Sequence, residues 1–128
     1  MGQQNPTVMV SLGGNAISPK NESGTIDEQF AHTRESLAAV MGFVKRRYNI
    51  CISHGNGPQV GAELQRNELT QNVIPPLPLG VLVANTQGAI GYMIQQSLQN
   101  ALYKEDANRE VVSIISQVKV DKNDPELM

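Results

Sequence analysis

Apolar positions along this chain recur in two rhythms, short unbroken runs and long runs spaced in threes and fours. Thr7 to Leu12 is a short β-branched and apolar run that stops at Gly13, which predicts a buried strand. Asn15 to Gly24 is polar and contains Pro19 and Gly24, the composition of a loop. Thr25 with Glu28 three residues on makes a capping box, and the helix it opens runs to about Arg47. Phe30, Leu37, Val40, Met41, Val44 and Tyr48 form its apolar face, with His32 off that stripe at the surface. Lys45, Arg46 and Arg47 complement the helix dipole at its C-terminal end. A second strand covers about Tyr48 to Ser53 and a helix about Gln59 to Glu68. Pro75, Pro76 and Pro78 exclude helix and give an extended covering loop.

Leu79 to about Tyr103 reads as the second long helix, with Leu82, Thr86, Ala89, Ile90, Met93, Ser97, Leu98, Ala101 and Leu102 on one broad face. Gly80, Gly88 and Gly91 are anomalous within it, since an interior glycine costs a helix ~1 kcal/mol relative to alanine. Close approach must offset that cost. Ala84 and Gly88, one turn apart, offer a groove for a crossing helix, including one from a second subunit, or for a ligand. Val111 to Ile115 then reads as a buried strand, and Gln117 to Val120 alternates like an exposed edge. The order β-α-β-α-(α)-β predicts an α/β fold, a three-layer αβα sandwich with a mainly parallel sheet and right-handed crossovers.

Composition narrows the function classes. The 128 residues fit one domain. A net charge of −2 with ten Lys plus Arg gives no basic footprint for nucleic acid. Cys51 is the single cysteine, so no disulfide framework can form, and its place in a predicted strand reads as a small buried apolar residue. No stretch approaches the roughly 18 apolar residues of a membrane span. Met1-Gly2-Gln3-Gln4-Asn5-Pro6 lacks a signal-peptide core, and Pro6 stands where myristoylation wants Ser or Thr. The expected setting is cytoplasmic, where the glycosylation acceptor Asn21-Glu22-Ser23 has no use.

The candidate chemistry lies in two glycine turns. Gly13-Gly14-Asn15 ends the first strand, and Gly55-Asn56-Gly57-Pro58 sits between the second strand and its helix. Gly55 and Gly57 allow positive φ and close approach of the backbone to a ligand. Pro58 suits a first helical turn, and free N–H groups there make a site for phosphate or carboxylate. Neither a P-loop nor the G-x-G-x-x-G spacing of dinucleotide folds is present. By spacing alone each turn reads equally well as purely structural.

Three longer blocks say more: Ser11-Leu12-Gly13-Gly14-Asn15-Ala16-Ile17, Ser53-His54-Gly55-Asn56-Gly57-Pro58-Gln59-Val60-Gly61 and Thr86-Gln87-Gly88-Ala89-Ile90-Gly91-Tyr92. In this order they strongly resemble carbamate kinase, of the amino-acid kinase fold family, and the likeness continues through Gln117-Val118-Lys119-Val120-Asp121. Relatives such as acetylglutamate kinase place a lysine where this chain has Ser11. The resemblance implies phosphoryl transfer between ATP and carbamate, giving ADP and carbamoyl phosphate, often run in reverse to make ATP in arginine fermentation. It implies Mg²⁺ as a cofactor, a homodimer, and small-molecule substrates. It makes Gly13, Gly14, Asn15, Gly55, Asn56 and Gly57 the substrate- or phosphate-binding residues, with N–H groups from the glycines and side-chain donors from Asn15 and Asn56. His54 is next to the loop, but nothing assigns it acid–base work, against which stands a packing or hydrogen-bonding role.

The departure from the family is length. Residues 1–128 read as the N-terminal, substrate-binding part of the domain, the nucleotide-binding half being absent. Catalytic lysines and the acidic groups that organise Mg²⁺ are expected beyond Met128, and no metal ligand or catalytic residue is assigned within the chain. The alternative function is that of a noncatalytic fragment, an anion-binding or dimerisation module.

Overall fold

The computed structural model describes residues 5–19 and 21–127, so the readings of Met1 to Gln4 lie outside the described residues. Strand β1 (Thr7–Leu12) pairs in parallel with β2 (Asn49–His54), in the register Thr7↔Asn49 through Leu12↔His54. Between them run a one-turn helix α1 (Gly14–Ile17), α2 (Ile26–Ala38) and α3 (Val40–Lys45). After β2 come α4 (Gly57–Thr70) and α5 (Leu79–Lys104), and a short 3-10 turn spans Pro125–Leu127. No helix among the described residues is long and apolar enough to cross a membrane.

Local chemistry explains the helix ends. Thr25 accepts the Glu28 N–H while the Glu28 carboxylate accepts the Thr25 N–H at 2.8 Å, completing the capping box. Glu28 is held below the usual carboxylate range chiefly by that backbone donor. The expected single helix is interrupted at Ala39, where the Gly42 N–H turns to the Ala39 carbonyl. The α3 terminus is a Schellman closure around Arg47 at φ 62°: Arg47 N–H donates to Val44 and Tyr48 N–H to Phe43. Phe43 and Tyr48 pack edge to face across it, 5.5 Å between ring centres.

The core lies on one face of the sheet. Leu12, Leu37, Val40, Val44, Ile90, Met93, Ile94, Leu98 and Leu102 are buried together, with Val10, Ile50 and Ile52 packed against them. Ile17 is fully buried, which turns the start of the expected Asn15–Gly24 loop into a helical turn. The opposite face of the sheet, carrying Met9 and Cys51, has no cover among the described residues: Met9 is 67% exposed and Cys51 is exposed and free. The expectation that Cys51 is buried therefore fails, because β1 and β2 are each covered on one side only.

Val111–Ile115 is not a strand, nor is Gln117–Val120. Among the described residues the sheet has two strands. Residues 111–116 lie instead along α5 in the opposite direction, held by its side chains. Gln99 accepts the Val111 N–H at 3.0 Å and Gln95 donates to the Val111 carbonyl at 2.9 Å. Ser113 Oγ donates to the Gly91 carbonyl at 2.9 Å, and Gln87 accepts the Ser116 N–H at 3.0 Å. A Cβ on Gly91 would meet Ser113 at 3.2 Å, and one on Gly88 would meet Ile115 at 3.8 Å. Gly88 and Gly91 thus admit this extended segment, whereas Gly80 borders open space.

Candidate functional site

Parallel pairing brings the ends of β1 and β2 to one edge, with Leu12 opposite His54, so the two glycine turns leave the sheet as neighbours. The Gly55 N–H reaches the Leu12 carbonyl at 3.4 Å, and a Cβ on Gly14 would lie 3.6 Å from the Pro58 ring. This is the carboxyl end of the strands, where open parallel sheets take their ligands. Beneath the turns the Ser11 and Ser53 hydroxyls meet at 2.9 Å across the strand pair.

Helix α4 begins at Gly57 with Pro58 in its first turn, and its first intrahelical bond is Val60 N–H to Asn56 O. The N–H groups of Gly57 and Gln59 precede that bond, at the positive end of a 14-residue helix. On the neighbouring turn the first bond is Ala16 N–H to Gly13 O, which leaves the Gly14 and Asn15 N–H groups ahead of it. A Cβ at Gly13, Gly55 or Gly57 would meet nothing within 4 Å. The space before the turns is open. Positive φ is not how these glycines serve, since Gly24 is the one described glycine with it, at 69°. Gly57 is helical instead, and a side chain there would project into open space.

The two asparagines part company. Asn15 is exposed and makes no side-chain hydrogen bond to another described residue. Asn56 spends both its N–H donors on α5, at 3.2 Å to the Val83 carbonyl and 2.9 Å to Thr86 Oγ1. Its expected service as a side-chain donor to a ligand is therefore replaced by a clamp, which leaves Oδ1 as an acceptor. Thr86 is buried and donates to the backbone at Leu82 and Val83. Sequence reading placed Thr86 on the apolar face and in the third block without seeing its link to the turn.

A second tie was also missed. Gln59 donates to Gln29 Oε1 at 3.0 Å, and Gln29 donates to the Gly24 carbonyl at 2.8 Å, so the first turn of α4 is fastened to α2 and its capping loop. His54 finds only the carbonyl of its neighbour Gly55, 3.4 Å from Nδ1. His32 is not merely a solvated surface group: it contacts Glu22 at 2.7 Å, a hydrogen bond that raises its pKa. It lies outside the turns. Among the described residues no group of three or more His, Cys, Asp or Glu could hold a metal ion.

Adjacent parallel strands ending in two neighbouring glycine turns that border open space are the arrangement of the N-terminal part of the amino-acid kinase fold. No protein-family model matches the chain. It is 44% identical over 120 residues to the carbamate kinase of Pyrococcus horikoshii and 40% identical over 119 residues to that of Trichomonas vaginalis. Each match covers 92% of this chain and 38% of the relative. Among solved structures, Giardia carbamate kinase superposes with a TM-score of 0.90 at 34% identity, over 95% of this chain and 41% of that one. A Giardia lamblia carbamate kinase bound to AMP-PNP gives 0.76 at 35% identity, over 80% and 36%. The chain is thus similar to carbamate kinases over nearly all of its own length and spans well under half the length of the curated relatives it matches.

Proposed function

We propose that this chain is the N-terminal, acceptor-binding part of a carbamate kinase, which transfers a phosphoryl group between ATP and carbamate to give ADP and carbamoyl phosphate. The observation that carries this reading is the pair of touching glycine turns at one sheet edge, with unfilled space before Gly13, Gly55 and Gly57. Carbamate is already an anion, so the acceptor needs no strong base. It needs alignment with the γ-phosphoryl group and neutralisation of charge on the moving oxygens.

In this reading the N–H groups around Gly14 and Gly57 donate into that space and cost no reorganisation when charge develops. Gly13 and Gly55 keep it free of side chains, Asn15 adds an exposed amide, and Asn56 holds the second turn against α5. Among the described residues, the two turns themselves carry no lysine or arginine. The cations that steady the phosphates, the adenine platform and the ligands of Mg²⁺ therefore belong, in this reading, to a C-terminal portion outside this chain. The assembled enzyme is cytoplasmic and homodimeric, with ATP and ADP as its nucleotides.

A coupled assay for ATP formation from ADP and carbamoyl phosphate tests the proposal. Purified 128-residue protein, checked by intact mass, is expected to be inactive, because removing a positioned cation alone can cost three or more orders of magnitude. Activity should appear when a separately made C-terminal portion is added. Turnover by the chain alone would mean that the nucleotide site has been misplaced, and a docked but inactive pair would favour the noncatalytic module.

A further inference from the structure

Asn56 stands at the N-cap of α4, where an asparagine oxygen ordinarily accepts an N–H of the first helical turn, yet it makes no such bond. Its side chain is drawn across to α5 instead, and the partners there dictate which end of the amide faces them. The Thr86 hydroxyl gives its proton to the backbone carbonyls of Leu82 and Val83, both 2.9 Å away, so it meets Asn56 as an acceptor. The Val83 carbonyl can only accept. Nδ2 therefore takes both contacts, at 2.9 and 3.2 Å, and a flipped amide would set Oδ1 against two oxygens. Gln59, three residues on, is oriented by the same logic. Gln29 donates to the Gly24 carbonyl and so offers its own oxygen to Gln59 Nε2, which leaves Gln59 Oε1 buried with no partner among the described residues. Each amide turns N–H toward the protein and keeps an unpaired oxygen.

An oxygen is the wrong group to hold out to a phosphate or a carboxylate. The backbone N–H groups of Gly57 and Gln59, ahead of the first intrahelical bond, are the ones that suit an anion. An N-cap left open in this way fits a ligand that accepts at the backbone and donates to Oδ1. We propose that Asn56 Oδ1 accepts an N–H of the amino group of carbamate and carbamoyl phosphate, with Thr86 holding it in that orientation, an assignment that rests on reading this chain as the acceptor-binding part of the enzyme. Asn56 is then a specificity determinant. It separates an acid bearing an amino group from one of the same shape and charge bearing a methyl group. A methyl in that place would cover Oδ1 without satisfying it, and an acceptor cut off from water and left unpaired is costly.

The test is NMR titration of the isotopically labelled 128-residue protein with fresh carbamoyl phosphate and, separately, with acetyl phosphate, in which methyl replaces the amino group. Both are expected to shift the backbone N–H signals of Gly14 and Gly57, carbamoyl phosphate at about tenfold lower concentration. Thr86→Val, close in shape but without the hydroxyl, releases Asn56 and should cut that preference to about twofold while acetyl phosphate binds as before. Thr86→Ser keeps the hydroxyl and should keep the preference. Equal affinity of the unaltered protein for the two phosphates would overturn the proposal and leave the acceptor-binding reading in place, and this comparison decides even if Thr86→Val fails to fold. An undiminished preference in well-folded Thr86→Val would overturn it as well. No shift at either turn with either phosphate, at high millimolar concentration, would overturn the proposal and the reading beneath it together.

Discussion

Two β-α-β units run through this chain, and only one of them closes. From β1 through α2 and α3 to β2 the second strand meets the first in a continuous parallel register. From β2 through α4 and α5 to residues 111–116 the last element stops short and binds its own helix. The hydrophobic patterns are equally strand-like, since Val111-Val112-Ser113-Ile114-Ile115 is if anything richer in β-branched residues than Asn49–Ser53. What differs is the partner. β2 has β1 beside it and a helical layer beneath, whereas residues 111–116 have the glutamines of α5 on one side and a cleft on the other. A β-branched run predicts extended backbone; a ladder needs a second backbone at the right distance.

The comparison breaks most sharply at the core. Ile90→Ala, at a fully buried position beneath the closed unit, should destabilise the protein by about 2–5 kcal/mol, whereas Ile114→Ala should change stability by less than about 0.5 kcal/mol. Urea unfolding monitored by circular dichroism measures both. Equal costs would mean that residues 111–116 pack far more firmly than their exposure indicates.

Next in size is a change at the turn that the closed unit creates. Gly57→Ala, in enzyme completed by a C-terminal portion, should lower turnover on the order of 100-fold through crowding of the oxygen meant for its N–H. A Cβ there meets no protein atom and Gly57 has no positive φ, so the melting temperature should hold. Steady-state kinetics beside a thermal melt separate the two effects. Unchanged turnover would make the turn structural.

The asparagines sharpen the contrast between a clamp and a free group. Asn56→Ala removes the donors held by Val83 and Thr86 and should cost about 1–3 kcal/mol of stability. Asn15→Ala should stay within about 0.5 kcal/mol, its side chain having no described partner. Should thermal melts of the two coincide, the clamp has been overrated.

The smallest effect concerns the loop beside the closed unit. The Glu22 hydrogen bond raises the His32 pKa, so this contact stabilises the fold fully below the ordinary imidazole value of about 6.5 and fades as pH rises through the raised value. Glu28 works in the opposite sense: its lowered carboxyl contributes above the ordinary value of about 4.5 and fades as pH falls through the lowered one. NMR titration of His32 should show an elevated midpoint that Glu22→Gln brings down.

By itself the sequence determined what depends on near neighbours along the chain. The Thr25–Glu28 capping box, Pro58 in a first turn, the β1 and β2 runs and the long helix from Leu79 are local patterns, and each stands where its residues predict. The order of strands and helices also implied that both glycine turns would share one edge, because right-handed crossovers leave parallel strands little choice. Only the tertiary structure decided which faces and edges acquire a cover. Cys51 reads as buried until the sheet is seen with helices on one side, and Gly91 reads as a helix defect until Ser113 lies against it. Asn56 reads as a ligand donor until Thr86, 30 residues away, takes its hydrogen bond. Burial and pairing are properties of two surfaces together, and a pattern within one segment carries the demand for a partner without saying where that partner lies.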